Sequence, residues 1–172
     1  ILILGVTPAT YVADLAKYDL IPVVASETWL DDALSQLNSE ATLTVSVAVD
    51  TGMGRIGIRD RTELERVVAK LNAADNVVFQ GIGMHFATAD GNDTVYFEKQ
   101  LAKWHELTDE LDLPADIWRH LANSGTSLWH EQPSTDAVRV GAAMYGFDAS
   151  QGALPNRCLL YTSDAADDMQ CV

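Results

Sequence analysis

From Ile1 to Gly146 the chain alternates continuous apolar runs with amphipathic stretches, and this alternation constrains its fold more than any other feature. "ILILG" is an apolar run closed by glycine; "IPVVAS", "LTVSVAVD", "VVFQGIGMHF", "WRHLANSG" and "VRVGAAMYG" follow it. The first, without polar alternation, reads as a strand buried on both faces, and the others read as further strands. Between them, Thr7 and Pro8 predict an N-cap and first helical position ahead of Val12, Leu15 and Ala16. Leu30, Ala33, Leu34 and Leu37 mark a second helix face. Thr62 with Glu65 reads as a capping box before Leu64, Val67, Val68 and Leu71, which recur at helical spacing. Phe97, Leu101, Trp104 and Leu111 mark a fourth helix, and only a short connection is expected between the last two strands. Strand–helix alternation of this kind predicts a parallel sheet covered by helices.

Six such units fit either an open doubly wound sheet or part of a (β/α)₈ barrel. The 172 residues fall short of a whole barrel, which takes about 250. Asp50, His85, Asn123 and Arg139 all fall at the C-terminal ends of runs. In a barrel those ends converge on one mouth, whereas in an open sheet the ends far from the switch point do not meet. The expected fold is therefore α/β: a partial (β/α)₈ TIM barrel of parallel strands with outer helices.

The net charge of −14 argues against a nucleic-acid binder or a protein docking on anionic lipid. No run of about 18 apolar residues predicts a membrane span. The last stretch, "CLLYTSDAADDMQCV" (Cys158–Val172), has neither helical nor strand period. The codons TGT CTC TTA TAC ACA TCT GAC GCT GCC GAC translate to its first part, and that string resembles the transposon-end adapter of sequencing libraries. Residues 1–157 are accordingly expected to form the domain and 158–172 a non-native tail. Both cysteines, Cys158 and Cys171, fall in the tail, so the body has none; that fits a cytoplasmic protein.

"VDTGMGRIGIR" (Val49–Arg59) brings three glycines and two arginines to a strand end. The glycines allow positive φ and close backbone approach, and Arg55 can offer a planar fork of donors to a carboxylate or phenolate; a tight turn with a surface arginine is the plainer reading. His85 in "GMHFATAD" is either structural or a proton relay beside an arginine or tyrosine. In "ANSG", Asn123, Ser124 and Gly125 suit a phosphate oxygen, and "RVGAA" adds Arg139, Gly141 and Ala142. Barrels frequently bind phosphate on the loops after their last two strands. His105, His120 and His130 lack metal-ligand spacing, and no metal site, nucleophile elbow, P-loop or dinucleotide fingerprint is expected.

In this order and spacing the four motifs resemble those of the bacterial alanine racemases, over essentially all of Ile1–Gly146. The resemblance implies an N-terminal barrel holding pyridoxal 5′-phosphate, a C-terminal β domain, and a homodimer that interconverts L- and D-alanine, the latter for peptidoglycan. By position, Arg139 resembles the arginine facing the pyridine nitrogen, and His85 the histidine linking that arginine to the catalytic tyrosine. Asn123 and Ser124 resemble the pair after strand seven, with Ser124 on the phosphate; Gly141 and Ala142 resemble the backbone phosphate donors after strand eight. Arg55 resembles the arginine beside the phenolic oxygen and the substrate carboxylate, and Leu4 lines the cofactor. The runs present then correspond to strands three to eight. The cofactor-binding lysine, the opposing catalytic tyrosine and the C-terminal β domain have no counterpart here, so the chain is expected to be an inactive, aggregation-prone internal fragment. Where the family commonly carries a carbamylated lysine propping the arginine, this chain has Ala48; an anion, a water or another acidic side chain is expected to take up Arg55's hydrogen bonds. A serine or broad-specificity racemase and a non-catalytic pyridoxal phosphate carrier are the alternatives.

Overall fold

The computed structural model describes residues 1–131 and 133–155; the boundary expected at 157 and the tail after it lie outside the described residues. The sheet contains β1 (Val23–Val24), β2 (Leu43–Ala48), β3 (Val77–Gly83) and β4 (Trp118–His120), paired in that order and all parallel. Parallel bridges Leu2–Ile21 and Asn123–Arg139 extend the array by one segment on each side. Six parallel segments thus lie in strict chain order. A doubly wound sheet reverses its order at a switch point; this array does not, and its sequence of neighbours is that of a barrel arc.

The first and last runs are less regular than expected, and "ILILG", expected to be buried on both faces, has no buried residue and leaves Ile1 and Leu4 exposed. "ILILG" contributes one bridge and the bond from Ile3 N–H to the Ile21 carbonyl. "VRVGAAMYG" contributes the Asn123–Arg139 bridge, then turns into a 3₁₀ segment, Ala142–Tyr145. Each has a ladder partner on one side only among the described residues, and Val138 and Val140 are left exposed.

The outer helices are α1 (Val12–Lys17), α2 (Glu27–Gln36), α3 (Arg61–Ala73) and α4 (Val95–Thr108), and their apolar stripes face the sheet. Leu64, Val67, Val68 and Leu71 are all buried, in one cluster with Leu30, Ala33 and the valines Val45, Val47 and Val49 of the third run. Burial of each such leucine or valine stabilises the fold by about 1.5–3 kcal/mol. Two caps differ from expectation. Asp60, not Thr62, caps α3 by accepting the Glu63 N–H, because it immediately precedes the first helical residue while Thr62 already lies inside the helix; Glu65 pairs with Arg61 instead. Thr7 caps nothing: its carbonyl accepts the Trp29 indole N–H, and a 3₁₀ turn (Ala9–Tyr11) leads into α1. Leu111 lies beyond α4. A fifth helix, α5 (Ser124–Trp129), stands where a short connection was expected, with Asn123 Oδ1 accepting the Thr126 N–H as its cap.

Candidate active site

The glycine-rich turn after β2 is organised around one carboxylate. Asp50 is buried, and its oxygens accept the N–H groups of Gly52 at 2.9 Å and Gly54 at 3.0 Å and both Nε and Nη2 of Arg59 at 2.8 Å. Burial acts to raise the Asp50 pKa, but the Gly54 and Gly52 N–H groups and Arg59 outweigh it and hold the carboxyl below its ordinary value. Gly57 is required by geometry: its φ is +126°, and a Cβ there would lie 2.7 Å from the Asp50 backbone nitrogen. Of the two arginines, then, Arg59 holds the turn together. Arg55 is exposed and has no hydrogen-bond or ion-pair partner among the described residues. Ala48 lines the same cavity, and among the described residues no acidic side chain pairs with Arg55 in place of a propping lysine. Arg55 reaches solvent, so the cost of a buried unpaired guanidinium does not arise.

His85 follows β3. Asn123 Nδ2 faces its Nε2 at 3.5 Å and donates to the Phe86 carbonyl at 3.2 Å. Burial first, then the charges of Arg139 and Arg55, push the His85 pKa down to about 4. At neutral pH it is an uncharged imidazole.

Arg139 is held by another histidine. Its Nη1 donates to His120 Nδ1 at 2.7 Å and to the His120 carbonyl, and its Nη2 donates to the Met84 carbonyl. A guanidinium cannot accept, so His120 Nδ1 is the acceptor and its proton sits on Nε2, which donates to Ser46 Oγ at 2.8 Å. Burial, with Arg139, lowers the His120 pKa to about 4. Burial and Arg55 push Arg139 down to about 10, which leaves it cationic at neutral pH. No carboxylate pairs with Arg139 among the described residues.

His120 is the residue that sequence reasoning set aside, and a signal for it existed. Gly81 and Gly83 alternate on one face of β3, and a glycine inside a strand marks close approach of a neighbour. A Cβ on Gly83 would lie 2.2 Å from the His120 ring, and one on Gly81 would lie 3.0 Å from Ser46 Oγ.

Past α5 the chain returns to the same mouth. Ser124 Oγ accepts the Gly141 N–H at 2.9 Å and the Ala143 N–H at 3.5 Å. A Cβ on Gly141 would meet nothing. Leu4, Arg55, His85, Asn123, Ser124, Arg139, Gly141 and Ala142, the residues singled out from sequence, all line one cavity of about 880 Å³ together with Ala48 and His120. Among the described residues no group of three or more His, Cys, Asp or Glu is placed to hold a metal ion.

Fold and site together define a barrel-type α/β domain whose strand ends converge on a cationic mouth. The particular family follows from comparison: residues 1–149 match the model of the alanine racemase N-terminal domain, and the chain belongs to that family. It is 42% identical over 159 residues to the alanine racemase of Levilactobacillus brevis and 39% identical over 158 residues to the lysine racemase of Oenococcus oeni. Both matches cover 90% of this chain and 42% of the relative. The crystal structure of alanine racemase from E. faecalis superposes with a TM-score of 0.85 at 40% identity, again over 90% of this chain and 42% of that one. The chain therefore spans less than half the length of the proteins it matches. No helix among the described residues is long and apolar enough to cross a membrane.

Proposed function

We propose that this chain is the larger part of the barrel of a pyridoxal 5′-phosphate-dependent amino-acid racemase, acting on L- and D-alanine as a homodimer. The observation that carries this reading is the convergence of Ser124, Arg139, His85 and Arg55, from four successive strand ends, on one cavity.

The residues present fit the cofactor. Ser124 Oγ and the Gly141 and Ala143 N–H groups meet at one point, with open space where a Cβ on Gly141 would be; these groups suit a phosphate. Arg139 is a fixed cation without a carboxylate, placed to donate to an acceptor such as a pyridine nitrogen. When bound, the cofactor supplies an electron sink for charge developing at the substrate α-carbon. Arg139 would hold the cofactor's ring nitrogen as a hydrogen-bond donor and would disfavour a second positive charge there. Arg55 orients the substrate carboxylate with a planar fork of donors. Neutral His85 accepts and passes hydrogen bonds without adding charge to a mouth that already holds two guanidinium groups. The proton-transferring lysine and tyrosine belong to the parts of the enzyme outside this chain.

The test is a chimera in which residues 1–149 replace the matching segment of the Levilactobacillus brevis alanine racemase. Cofactor loading, with measurable racemisation of alanine, is the expected outcome; a folded chimera that binds no pyridoxal phosphate overturns the reading. The 39% identity to a lysine racemase supports one competing substrate, and preference of the chimera for lysine over alanine would favour it. Within the chimera, Arg139→Glu is expected to shift the balance from racemisation towards transamination, measured per cofactor-loaded site.

A further inference from the structure

Gln100 lies in the middle of α4 and is 1% exposed, among the apolar residues Phe97, Trp104 and Leu107. A buried amide in such a place costs stability unless each of its groups is bonded, and a leucine or methionine would fill the same volume without that demand. Here every group is bonded, and to two different loops. Oε1 accepts the Ala87 N–H at 2.8 Å; Nε2 donates to the His85 carbonyl at 3.1 Å and to Thr51 Oγ1 at 3.2 Å. Thr51 Oγ1 in turn donates to Met84 Sδ. One side chain on an outer helix therefore ties the turn that carries Arg55 to the strand end that carries His85.

A second α4 residue acts in the same direction. The Tyr96 hydroxyl donates to the Gly52 carbonyl at 2.8 Å, and Gly52 lacks the Cβ that would otherwise lie 2.6 Å from that oxygen. Phe97 stacks on Phe86 with ring centroids 4.0 Å apart. The first two turns of α4 thus reach both loops, and Gln100 alone of these three side chains bonds to both.

We propose that Gln100 is a positioning residue: it fixes the separation of Arg55 from His85 across the mouth of the cavity without touching a ligand. The proposal rests on the racemase reading for its catalytic consequence but not for the coupling itself. A displacement of about 1 Å at a reacting group costs on the order of 100-fold in rate, so loss of the tie should register in kcat/KM rather than in folding alone.

The experiment uses the chimera with Gln100→Met, Thr51→Val and the double variant. Amide hydrogen exchange in the cofactor-free protein is read at Gly52, Gly54 and Ala87, and kcat and KM are read per cofactor-loaded site. Gln100→Met is expected to speed exchange in both loops by about tenfold or more and to lower kcat/KM by about 10- to 100-fold. Thr51→Val, which removes one arm, is expected to speed exchange at Ala87 as well as at Gly52 and Gly54. The double variant is expected to be no worse than Gln100→Met, since both changes cut one connection. Unchanged exchange at Gly52 and Gly54 in Gln100→Met, kcat/KM within twofold of the parent, or multiplying effects in the double variant would each overturn the proposal. If Gln100→Met fails to fold, Thr51→Val with its readout at Ala87 decides the matter. An unmodified chimera without racemase activity would count against the function proposed above, while the exchange measurements would still test the coupling.

Discussion

The turn from Asp50 to Arg59 and the segment from Pro133 to Ala149 both deliver residues to the same cavity, and they are held in opposite ways. In the first, the bonds that shape the turn are mostly local: Asp50 collects Gly52, Gly54 and Arg59, and the Asp50 N–H returns to the Ile58 carbonyl. In the second, the anchors are distant in sequence. Arg139 is fixed by His120 and Met84, and Gly141 by Ser124. Around those anchors Met144, Tyr145 and Phe147 are 55%, 72% and 70% exposed. A loop wired mostly through its own residues depends less on its surroundings, although Tyr96 and Gln100 of α4 still bond to its first residues and Gln100 ties them to the neighbouring strand end. A loop wired through other strands keeps its geometry only as long as those strands stay in register, and its function is coupled to the charge state of its anchors.

The sharpest test of the first half of this contrast is Gly57→Ala. The residue sits at φ +126°, and a new Cβ would meet Asp50 N, Val49 C and Ala48 O at 2.7–3.0 Å, all backbone atoms of one strand end. None can yield without breaking the Val49–Ile58 bridge. The expected cost is about 4 kcal/mol, at the upper end for a single substitution, measured from the denaturation midpoint of the chimera. A loss under about 1 kcal/mol would mean that the turn is soft and the contrast false.

The second half is tested by acid. The folded-state pKa of His120 is lowered from 6.5 to about 4, so the folded state binds fewer protons than the unfolded one between those values. Stability from this group is complete above pH 6.5 and is lost as pH falls towards 4. At full titration the loss is on the order of 3 kcal/mol. His85 adds a smaller loss of the same sign over the same window, because it is only half-buried. Protonation of His120 Nδ1 removes the acceptor that Arg139 uses, so Arg139 and the segment following it should loosen first. Amide exchange at Gly141 and Ala143 accelerating before that at Gly52 and Gly54 is the expected order. Simultaneous loosening would erase the distinction between the two segments.

This difference in wiring also explains what the sequence disclosed. The runs at Val23–Val24 and Leu43–Ala48 announce strands because their leucine and valine residues are buried, whereas "ILILG" leaves Ile1 and Leu4 exposed; Leu64, Val67, Val68 and Leu71 announce α3 because its stripe has a helical period. Those signals are local, as is the glycine spacing around Asp50. Seven of the eight candidate residues could be picked out at or just past run ends and Leu4 through the family resemblance, and the structure brings all eight around one cavity. What escaped were non-local facts. His120 reads as an isolated histidine until Gly83 is seen to make room for its ring. Gln100 reads as a polar residue on an amphipathic helix, and only the packing of α4 reveals that both its neighbours are loops. α5 has six residues, too few for a period to emerge, and "VRVGAAMYG" has strand composition but a 3₁₀ turn in its second half.

The smallest expected effects on stability separate the two arginines of the turn. Arg59 makes a two-pronged contact with a carboxylate whose side chain is 1% exposed, while its own side chain is 66% exposed. Solvent screens the guanidinium, so Arg59→Gln should cost only about 1 kcal/mol, and the Gly52 and Gly54 N–H groups remain to hold Asp50. Arg55 is exposed and bonds to nothing among the described residues, so Arg55→Gln should change stability by less than about 0.5 kcal/mol. Activity should rank them in reverse. Arg55 faces the cavity with free donors, and in the chimera its loss should raise KM for alanine by about tenfold or more, the loss of a charge-assisted bond to a carboxylate. Arg59→Gln should leave KM within about twofold, because the remaining bonds keep the turn in place. Denaturation midpoints and KM values for the two variants, measured side by side, decide the assignment. If Arg59→Gln raises KM as much as Arg55→Gln does, the turn is not self-supporting, and the two arginines act as one unit rather than as a strut and a ligand-binding group.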